Sequence, residues 1–435
     1  MQLSNLTNIP QKIINILQKE AKNHGKDTGF IKRESKLTAP AFLRALLATC
    51  LSQSFTLEIF CSFLKEHGVR ISKQGLHQRL NEYTEKLLHH IALCSLKQFK
   101  TENIPHMDCL NGFTSVNIID SSTVSLHRAL SNIFKGSGGA ASGAALKIQL
   151  MFDYLGGQIK ALTLTSGCDN DQGFDSYFCK IQKRALYLMD LGYFKLDSFQ
   201  RIIDGGAFFV SRLLTGTKLL SLDGESIELV KTLSNSGGFY SQQLLMGAKR
   251  KIPVRLVAQR LATHVAEKRL RRLREDHRRR GSKPSAESLA LQSWSIYITN
   301  SSEEQISNED IHIVYALRWQ IELVFKLSKS LMQIHHTRST KSARVLVEIY
   351  GKFICMMMLF LLCAPVRYKN DKEISFYKAC KLLLTRFNDF VNAFASIYRL
   401  EQFIKNFQEN LYLFAIKEVK KKPIMKPRIA TGESF

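Results

Sequence analysis

The chain changes its hydrophobic periodicity near residue 113, and this change most constrains its fold. Before it, three short segments have the spacing of amphipathic helices: 39–51, 56–67 and 72–83. After it, strand-like and helix-like segments follow in the order β-β-β-α-β-α-β up to residue 211. The first helix of this series is predicted over 169–183, with Asp169 and Asp171 as its caps. The order predicts a mixed sheet with flanking helices, an α+β or α/β fold.

The N-terminal region contains a pattern similar to a helix-turn-helix. Gly68 separates the second and third predicted helices, and Ser72 is a candidate N-cap for the third. The third helix would expose polar and basic residues of the kind that read DNA: Lys73, Gln74, His77, Gln78 and Arg79. A plain helical bundle has the same spacing, so the sequence leaves both alternatives open.

The charge of the chain points to a polyanionic partner. There are 62 Lys and Arg residues against 37 acidic residues, and the formal net charge of +25 is more than solubility requires. Between residues 249 and 283, 14 basic residues face 3 acidic ones, a surplus of 11. Two strand-like runs, 251–261 and 293–300, flank the most basic part of this stretch. We therefore interpret 213–300 as a β-rich basic insertion that contacts phosphates, although a solvated and partly self-paired helix is an alternative.

Cysteine spacing and hydropathy exclude several other classes. The nine cysteines are scattered without a C-x-x-C pair, which is typical of reduced thiols and not of a disulfide framework or a zinc site. The most apolar run, 353–366, has 14 residues, whereas a helix needs about 20 to span a bilayer. We expect a cytoplasmic protein without a membrane partner.

The most specific local pattern lies in a helix predicted over 311–330. At 100° per residue, one arc of about 60° on this helix carries a ring, two cations and a carboxylate. These residues are Tyr315, Arg318, Glu322 and Lys329. Trp319 and Lys326 border the arc, and the opposite face is apolar. A solvated polar face is the simpler interpretation, but two large rings are unusual on such a face.

Two aspartates supply further candidate carboxylates. Asp120 ends the strand-like run 113–120, and Asp190 ends the run 184–190. A lone aspartate in such a position is usually a turn or cap residue. Together with Glu322, however, these residues would form an oxygen-rich site for hard divalent cations, usually Mg²⁺. Two such ions about 4 Å apart stabilise the attacking and leaving oxygens of a displacement at phosphorus.

These residues carry a resemblance to a known family. The spacing Tyr315-x2-Arg318-x3-Glu322-x6-Lys329 matches the Y-x2-R-x3-E-x6-K signature of bacterial DDE transposases, specifically the insertion-sequence 4 group. The segments 116–122, which contains Asp120, and 188–194, which contains Asp190, are similar to the two aspartate segments of that family. The resemblance implies an RNase H-like catalytic domain that is interrupted by the insertion.

The resemblance also implies a domain order for nearly the whole chain. It consists of a helical DNA-binding region at 1–110, a catalytic domain at 111–212 and 301–343, the insertion at 213–300, a helical and dimerising region at 344–415, and a basic tail at 416–435.

Roles for individual residues follow from the same resemblance. The metal-binding and catalytic acids would be Asp120, Asp190 and Glu322, holding two Mg²⁺ ions for which Mn²⁺ substitutes. The residues that hold the phosphate beside the cleaved bond would be Tyr315, Arg318, Lys329 and, next to them, Lys326. Trp294 and Trp319 resemble the aromatic residues that stack on a flipped base in relatives that form DNA hairpins.

The implied activity is cut-and-paste DNA transposition. Such an enzyme binds the terminal inverted repeats of its mobile element in double-stranded DNA, cleaves them, and transfers them to target DNA. Its relatives act as homodimers in a synaptic complex, and a bacterial member would be associated with the nucleoid. Two alternatives stay open: an inactive DNA-binding regulator derived from such an element, and a structure-selective RNase H-like nuclease.

Overall fold

The protein is built from a helical layer and a nine-stranded sheet. The computed structural model describes residues 8–102, 107–138, 142–173, 176–337, 339–369 and 372–418. The predicted tail, 416–435, therefore lies outside the described residues from 419 onward. The N-terminal helices are α1 Ile9–Asn15, a π-helical turn Ile16–Glu20, α2 Ala21–Asp27, α3 Ala39–Leu51, α4 Leu57–Glu66, α5 Lys73–Arg79 and α6 Glu82–Gln98.

The middle of the chain forms the sheet and the helices beside it. Its strands are β1 Val116–Ser125, β2 Ala145–Asp153, β3 Gln158–Ser166, β4 Leu186–Met189, β5 Phe208–Arg212, β6 Leu219–Leu220, β7 Phe239–Met246, β8 Ile252–Arg260 and β9 Trp294–Thr299. Its helices are α7 Leu196–Asp204, α8 Leu229–Ser234, α9 Thr263–Arg279, α10 Ala286–Leu291, α11 Ile311–Ala316 and α12 Trp319–Ser330. The remainder consists of α13 Ser342–Cys363, the short strands β10 Tyr368–Lys369 and β11 Lys372–Glu373, α14 Phe376–Thr385, α15 Phe387–Ala393 and α16 Ile397–Phe414.

The strand order confirms the predicted fold class. The sheet runs β3-β2-β1-β4-β5-β9-β8-β7-β6. β1, β2 and β3 form an antiparallel meander, while β4 is parallel to β1 and β5 is parallel to β4. The order 3-2-1-4-5 with an antiparallel second strand is the RNase H-like arrangement. The chain turns between β2 and β3 at Gly156 and Gly157.

The insertion extends the same sheet. β9 pairs antiparallel with β5, and β8, β7 and β6 follow outward. The two strand-like runs predicted at 251–261 and 293–300 are confirmed as β8 and β9. The sheet is therefore continuous from β1–β5 into the insertion. After β9 the chain forms α11, which contacts β5, and α12, which contacts β1.

The helical layer is made by both ends of the chain. Helix α13 contacts α3 and α6, and α16 contacts α1, so the N- and C-terminal helices share one core. The segment Ser342–Val366 is long and apolar enough to span a membrane, but 94% of its most apolar window is buried inside the protein. It is the central core helix of the protein.

Three local predictions are wrong. The helix predicted over 72–83 is two helices, because Asn81 accepts hydrogen bonds from the backbone of Tyr83 and Thr84 and so caps a new start. The strand predicted to end at Asp120 continues to Ser125, since β2 pairs along its whole length. The helix predicted over 169–183 is replaced by two single 3₁₀ turns among its described residues, so Asp169 and Asp171 do not cap an α-helix.

Candidate active site

The register of two parallel strands places Asp120 beside Asp190. Ile119 of β1 is level with Met189 of β4, so the next residue of each chain segment is an aspartate at the same edge of the sheet. Adjacent strands lie about 4.8 Å apart. Ile119 and Met189 belong to the core on one face of the sheet. Because side chains alternate along a strand, both aspartates point to the opposite face.

Helix α12 brings Glu322 to that face. Ile321 and Val324 pack into the core between α12 and the sheet, and α12 contacts β1. The Arg318 guanidinium then joins the acids. Its Nη2 lies 2.7 Å from Glu322 Oε1, and its Nη1 lies 3.4 Å from Asp120 Oδ2. The three acids predicted from the sequence are therefore gathered around one arginine.

Burial and mutual repulsion make Asp120 a weak acid for its type. Burial raises the pKa of its carboxyl to about 6. The Ser121 backbone N–H, 2.8 Å from Oδ1, and Arg318 oppose this rise, whereas Asp190 and Glu322 add to it. Burial also lowers the pKa of Arg318, but Tyr315 and the three acids outweigh it, so the net shift is upward. The site thus places the Arg318 guanidinium among three mutually repelling carboxyl groups.

This donor set fits a divalent metal. Three carboxylates offer the hard oxygen ligands that Mg²⁺ and Mn²⁺ prefer, and an added cation would relieve the repulsion that Asp120 experiences. Among the described residues, Asp120, Asp190 and Glu322 do not bring ligand atoms all within 4.8 Å of one another. Two of them, Asp120 and Glu322, are instead paired with the Arg318 guanidinium.

The helix predicted over 311–330 is broken between α11 and α12. Leu317 and Arg318 donate backbone hydrogen bonds three residues back, to Val314 and Tyr315. In such 3₁₀ geometry residues three apart lie on the same side of the chain, so Tyr315 stays on the side of Arg318. Both side chains are largely buried, however, so they do not form the open face that was predicted.

Tyr315 is a core residue. Its side chain is 5% exposed, and its ring lies 5.3 Å from the ring of Tyr297 and 5.6 Å from the Arg212 guanidinium. Its hydroxyl has no hydrogen-bond partner among the described residues. Burial raises the pKa of this hydroxyl to about 12.

The remaining predicted residues lie in different surroundings. Lys326 is exposed, whereas Lys329 and Trp319 are half-buried. Trp294 begins β9 three residues from Tyr297, and it packs partly against the core on the face away from α12. The structure therefore does not bring Trp294 to the face that carries Glu322.

A hydrogen-bond network centred on Asp171, next to Asp120, was not predicted as part of the site. Asp171 Oδ1 accepts hydrogen bonds from Ser121 Oγ at 3.0 Å, Gln149 Nε2 at 3.1 Å and Lys147 Nζ at 3.2 Å. Gln149 also accepts a hydrogen bond from Tyr193. The available signal was Gln149, a fully buried polar residue in the apolar strand β2. These hydrogen bonds hold Ser121, the residue next to Asp120, in place.

Arg212 was also missed. It ends β5 at the level of Asp190, because Met189 pairs with Ser211. A single arginine at the end of a strand gives no sequence signal by itself.

Comparison with known proteins identifies the family. The Transposase DDE domain family matches residues 111–358, more than half of the chain. The transposase for insertion sequence element IS231F of Bacillus thuringiensis subsp. israelensis is 29% identical over 88% of this chain and 84% of its own length. The IS231B transposase of B. thuringiensis subsp. berliner is 30% identical over 82% of this chain and 80% of its own length.

A solved structure of piggyBac transposase in a synaptic complex with hairpin DNA aligns with a TM-score of 0.45 and 11% identity, over 96% of this chain and 89% of that chain. A similarity of that size carries no argument. Membership in the narrower insertion-sequence 4 group stays a prediction. The domain match and the insertion-sequence relatives show that the chain belongs to the bacterial DDE transposases, enzymes that act on DNA with a divalent metal.

Proposed function

We propose that this transposase binds the terminal inverted repeats of its own mobile element, cleaves the DNA at their ends and joins the freed 3′ ends to target DNA. The observation that supports this most is the placement of Asp120 beside Asp190, with Glu322 tied to Asp120 through Arg318. The regulator alternative has less support, because all three acids are present and gathered. The nuclease alternative shares the triad and differs only in how DNA is selected.

We propose two Mg²⁺ ions as the natural cofactor, replaceable by Mn²⁺, with Asp120, Asp190 and Glu322 as ligands. Bound there, they would stabilise the attacking and leaving oxygens at the cleaved phosphate. The Ser121 N–H would keep the Asp120 carboxylate in place when the metal binds, and Arg318 would then give up its contact with that carboxylate.

With a metal bound to the acids, the Arg318 guanidinium would be available to contact the DNA backbone. Its planar guanidinium can hold two phosphate oxygens at once, which suits the phosphate next to the cleaved bond. Lys329 and the exposed Lys326 would add positive charge on the following turns of α12. The burial of Tyr315 fits support of the turn that carries Arg318 better than direct phosphate contact. Stacking on a flipped base is better supported for the half-buried Trp319 than for Trp294.

DNA would be held largely by the insertion. Most basic side chains of α9 are exposed, and Arg269 anchors this helix by donating to the Trp294 carbonyl oxygen at 3.2 Å. In the N-terminal region, Lys73, Gln74, His77 and Gln78 of α5 are exposed, as the helix-turn-helix alternative requires. We propose that both elements contact the inverted repeats, in the cytoplasm and on nucleoid DNA.

A homodimer that holds two DNA ends is the proposed assembly. Helix α16 exposes three large apolar side chains, Tyr398, Leu413 and Phe414, each more than 60% accessible. Such residues are unusual on a monomer surface and support a protein contact in the region 344–415. Light scattering of the protein with and without its DNA end would give the stoichiometry.

Cleavage of a labelled duplex tests the proposal. The duplex carries the element's own end and flanking donor DNA, and Glu322→Gln is compared with Glu309→Gln, which removes an equal charge from an exposed site before α11. Glu322→Gln should bind normally and cleave at least about 10³-fold more slowly, because it loses a metal ligand. Glu309→Gln should cleave like wild type.

Two outcomes would overturn the proposal. Wild type that binds the end but never cleaves with Mg²⁺ or Mn²⁺ would be a regulator. Wild type that cleaves branched or unrelated DNA as fast as its own end would be a nuclease.

A further inference from the structure

A second cluster of metal-binding side chains lies in the helical layer, away from the catalytic acids. Glu20 ends the π-helical turn, His24 lies in α2, and Cys94 lies in α6. Within the part of the chain that the structure describes, it is the one group of three such residues whose ligand atoms all lie within 4.8 Å of one another. The cysteine is 70 residues from the histidine in sequence, so no spacing motif could have predicted the group.

The distances within this cluster match the edges of a tetrahedron around zinc. Cys94 Sγ lies 3.4 Å from His24 Nε2 and 3.7 Å from Glu20 Oε2, and those two atoms are 3.5 Å apart. Tetrahedral zinc with its usual bond lengths separates sulfur from nitrogen or oxygen by about 3.6 Å, and nitrogen from oxygen by about 3.4 Å. The three atoms are therefore within a few tenths of an ångström of the spacing that one ion requires.

Each of the two helical segments supplies a pair of residues four apart. Glu20 and His24 form one pair, and His90 and Cys94 of α6 form the other. Residues four apart lie on the same face of a helix. The His90 ring stacks on the His24 ring, with centroids 5.1 Å apart and planes inclined by 26°. His90 therefore lies beside the cluster, although it is not among the residues whose ligand atoms all lie within 4.8 Å of one another.

Neighbouring groups orient the ligands in the way that metal sites require. Glu20 Oε1 accepts hydrogen bonds from Gln98 at 2.9 Å and Asn15 at 3.4 Å, which leaves Oε2 directed at the cluster. His24 turns Nε2 to the cluster, while its Nδ1 lies 3.7 Å from Asp27 Oδ2. A carboxylate behind a ligating histidine fixes its ring and tautomer.

We propose that Glu20, His24 and Cys94 bind one zinc ion, with His90 as the candidate for the fourth position. A thiolate and an imidazole are ligands for zinc and not for Mg²⁺, so this site is distinct in chemistry from the catalytic acids. On binding, the Cys94 thiol releases its proton to solvent and a sulfur–zinc bond forms. The ion would fasten the segment from α1 to α2 onto α6, the helix that contacts the central helix α13.

Cobalt substitution in the full-length protein tests this proposal. The purified, reduced protein is stripped with a chelator and titrated with Co²⁺, whose thiolate complexes absorb in the near ultraviolet by charge transfer. We expect one equivalent of this absorption, its loss in Cys94→Ser, and its displacement by Zn²⁺ but not by excess Mg²⁺. Cys61→Ser is the matched control, because Cys61 is another half-buried thiol of the helical layer, and it should keep the absorption.

Further variants keep the test decisive if Cys94→Ser does not fold. His24→Ala should also lose tight binding, and Asp27→Asn should weaken it about 10-fold while the absorption is retained. Zinc should raise the Tm of wild type and of Cys61→Ser, but not of His24→Ala. Absence of the absorption in wild type, or equal absorption in wild type and both ligand variants, would overturn the proposal.

Discussion

The proposed catalytic site and the Glu20–His24–Cys94 cluster differ in whether an arginine side chain already lies among the candidate ligands. At the sheet edge, the Arg318 guanidinium lies between Asp120 and Glu322. In the helical layer, amides and the Asp27 carboxylate orient the ligands, whose atoms are already at metal-binding distances. The proposed catalytic site would therefore exchange an internal cation for a metal, and the proposed zinc site would hold its ion permanently, as catalytic and structural metal sites respectively do.

The largest expected effect is on DNA cleavage, and it tests whether the two proposed metal sites are independent. Asp190→Asn should lower Mg²⁺-dependent cleavage of the element's end at least about 10³-fold, because a metal ligand is lost. It should leave the cobalt absorption of Cys94 unchanged. Asp204→Asn, at the end of α7, is the control and should cleave normally. If Asp190→Asn abolished both signals, the two sites would not be independent.

Removal of the internal cation should have a smaller effect, on stability. Arg318→Ala leaves Asp120 and Glu322 facing each other without their cation, so the metal-free protein should unfold more easily by about 1–2 kcal/mol. Urea unfolding with a chelator measures this, and Mg²⁺ should restore part of the loss. Arg318→Lys keeps the charge and should retain most of the stability, but it cannot make the bidentate phosphate contact. Equal unfolding of Arg318→Ala with and without Mg²⁺ would count against exchange of cations.

The raised pKa of Asp120 predicts that a third variant, Asp120→Asn, gains folding stability in a pH-dependent way. Its pKa of about 6 in the fold exceeds the value near 3.9 of an unfolded chain, so the ionised form is disfavoured in the native state. This cost is fully present above pH 6, declines as the pH falls towards 4, and is absent below. Asp120→Asn should therefore stabilise the metal-free protein by about 1 kcal/mol at pH 8 and not at pH 4.

Asp171→Asn is the control for that variant. It lies behind the same strand and accepts three hydrogen bonds, so its replacement should destabilise the protein at both pH values. A gain at pH 8 in both variants would show that general charge reduction, and not the crowding at Asp120, is responsible.

The sequence predicted those parts of the site that follow from backbone periodicity. Asp120 and Asp190 follow apolar strand-like runs, and a parallel register then brings them together without any further signal. Arg318 and Glu322 are four residues apart across a helix start, so their pairing was also predictable. The burial of Tyr315 was not predicted, because helical spacing does not show that Tyr297 and Arg212 pack against its ring. Asp171 and Arg212 reach the site only through tertiary contacts, which one sequence does not contain.

The same distinction holds for the fold. The order of strands predicted a mixed sheet with flanking helices, and the family resemblance implied that it is RNase H-like. Nothing local indicated that β9 would pair with β5 and make the insertion part of that sheet. The Glu20–His24–Cys94 cluster is the clearest case. Its residues lie on segments more than 60 residues apart, and scattered cysteines argued against a zinc site until the packing of α2 on α6 was known.

The smallest expected effect concerns the basic insertion, and it tests whether DNA affinity is independent of both metal sites. Arg271 and Arg272 are exposed on α9. If both contact phosphates, the double change to Gln should reduce the slope of log affinity against log salt by about 1.8, because each neutralised phosphate contributes about 0.9. Binding to the labelled end at several salt concentrations measures this slope. Lys405→Gln on α16 removes an exposed cation from the proposed dimer region, so it should leave the slope unchanged. A slope that falls equally in both would mean that total charge, and not α9, holds the DNA.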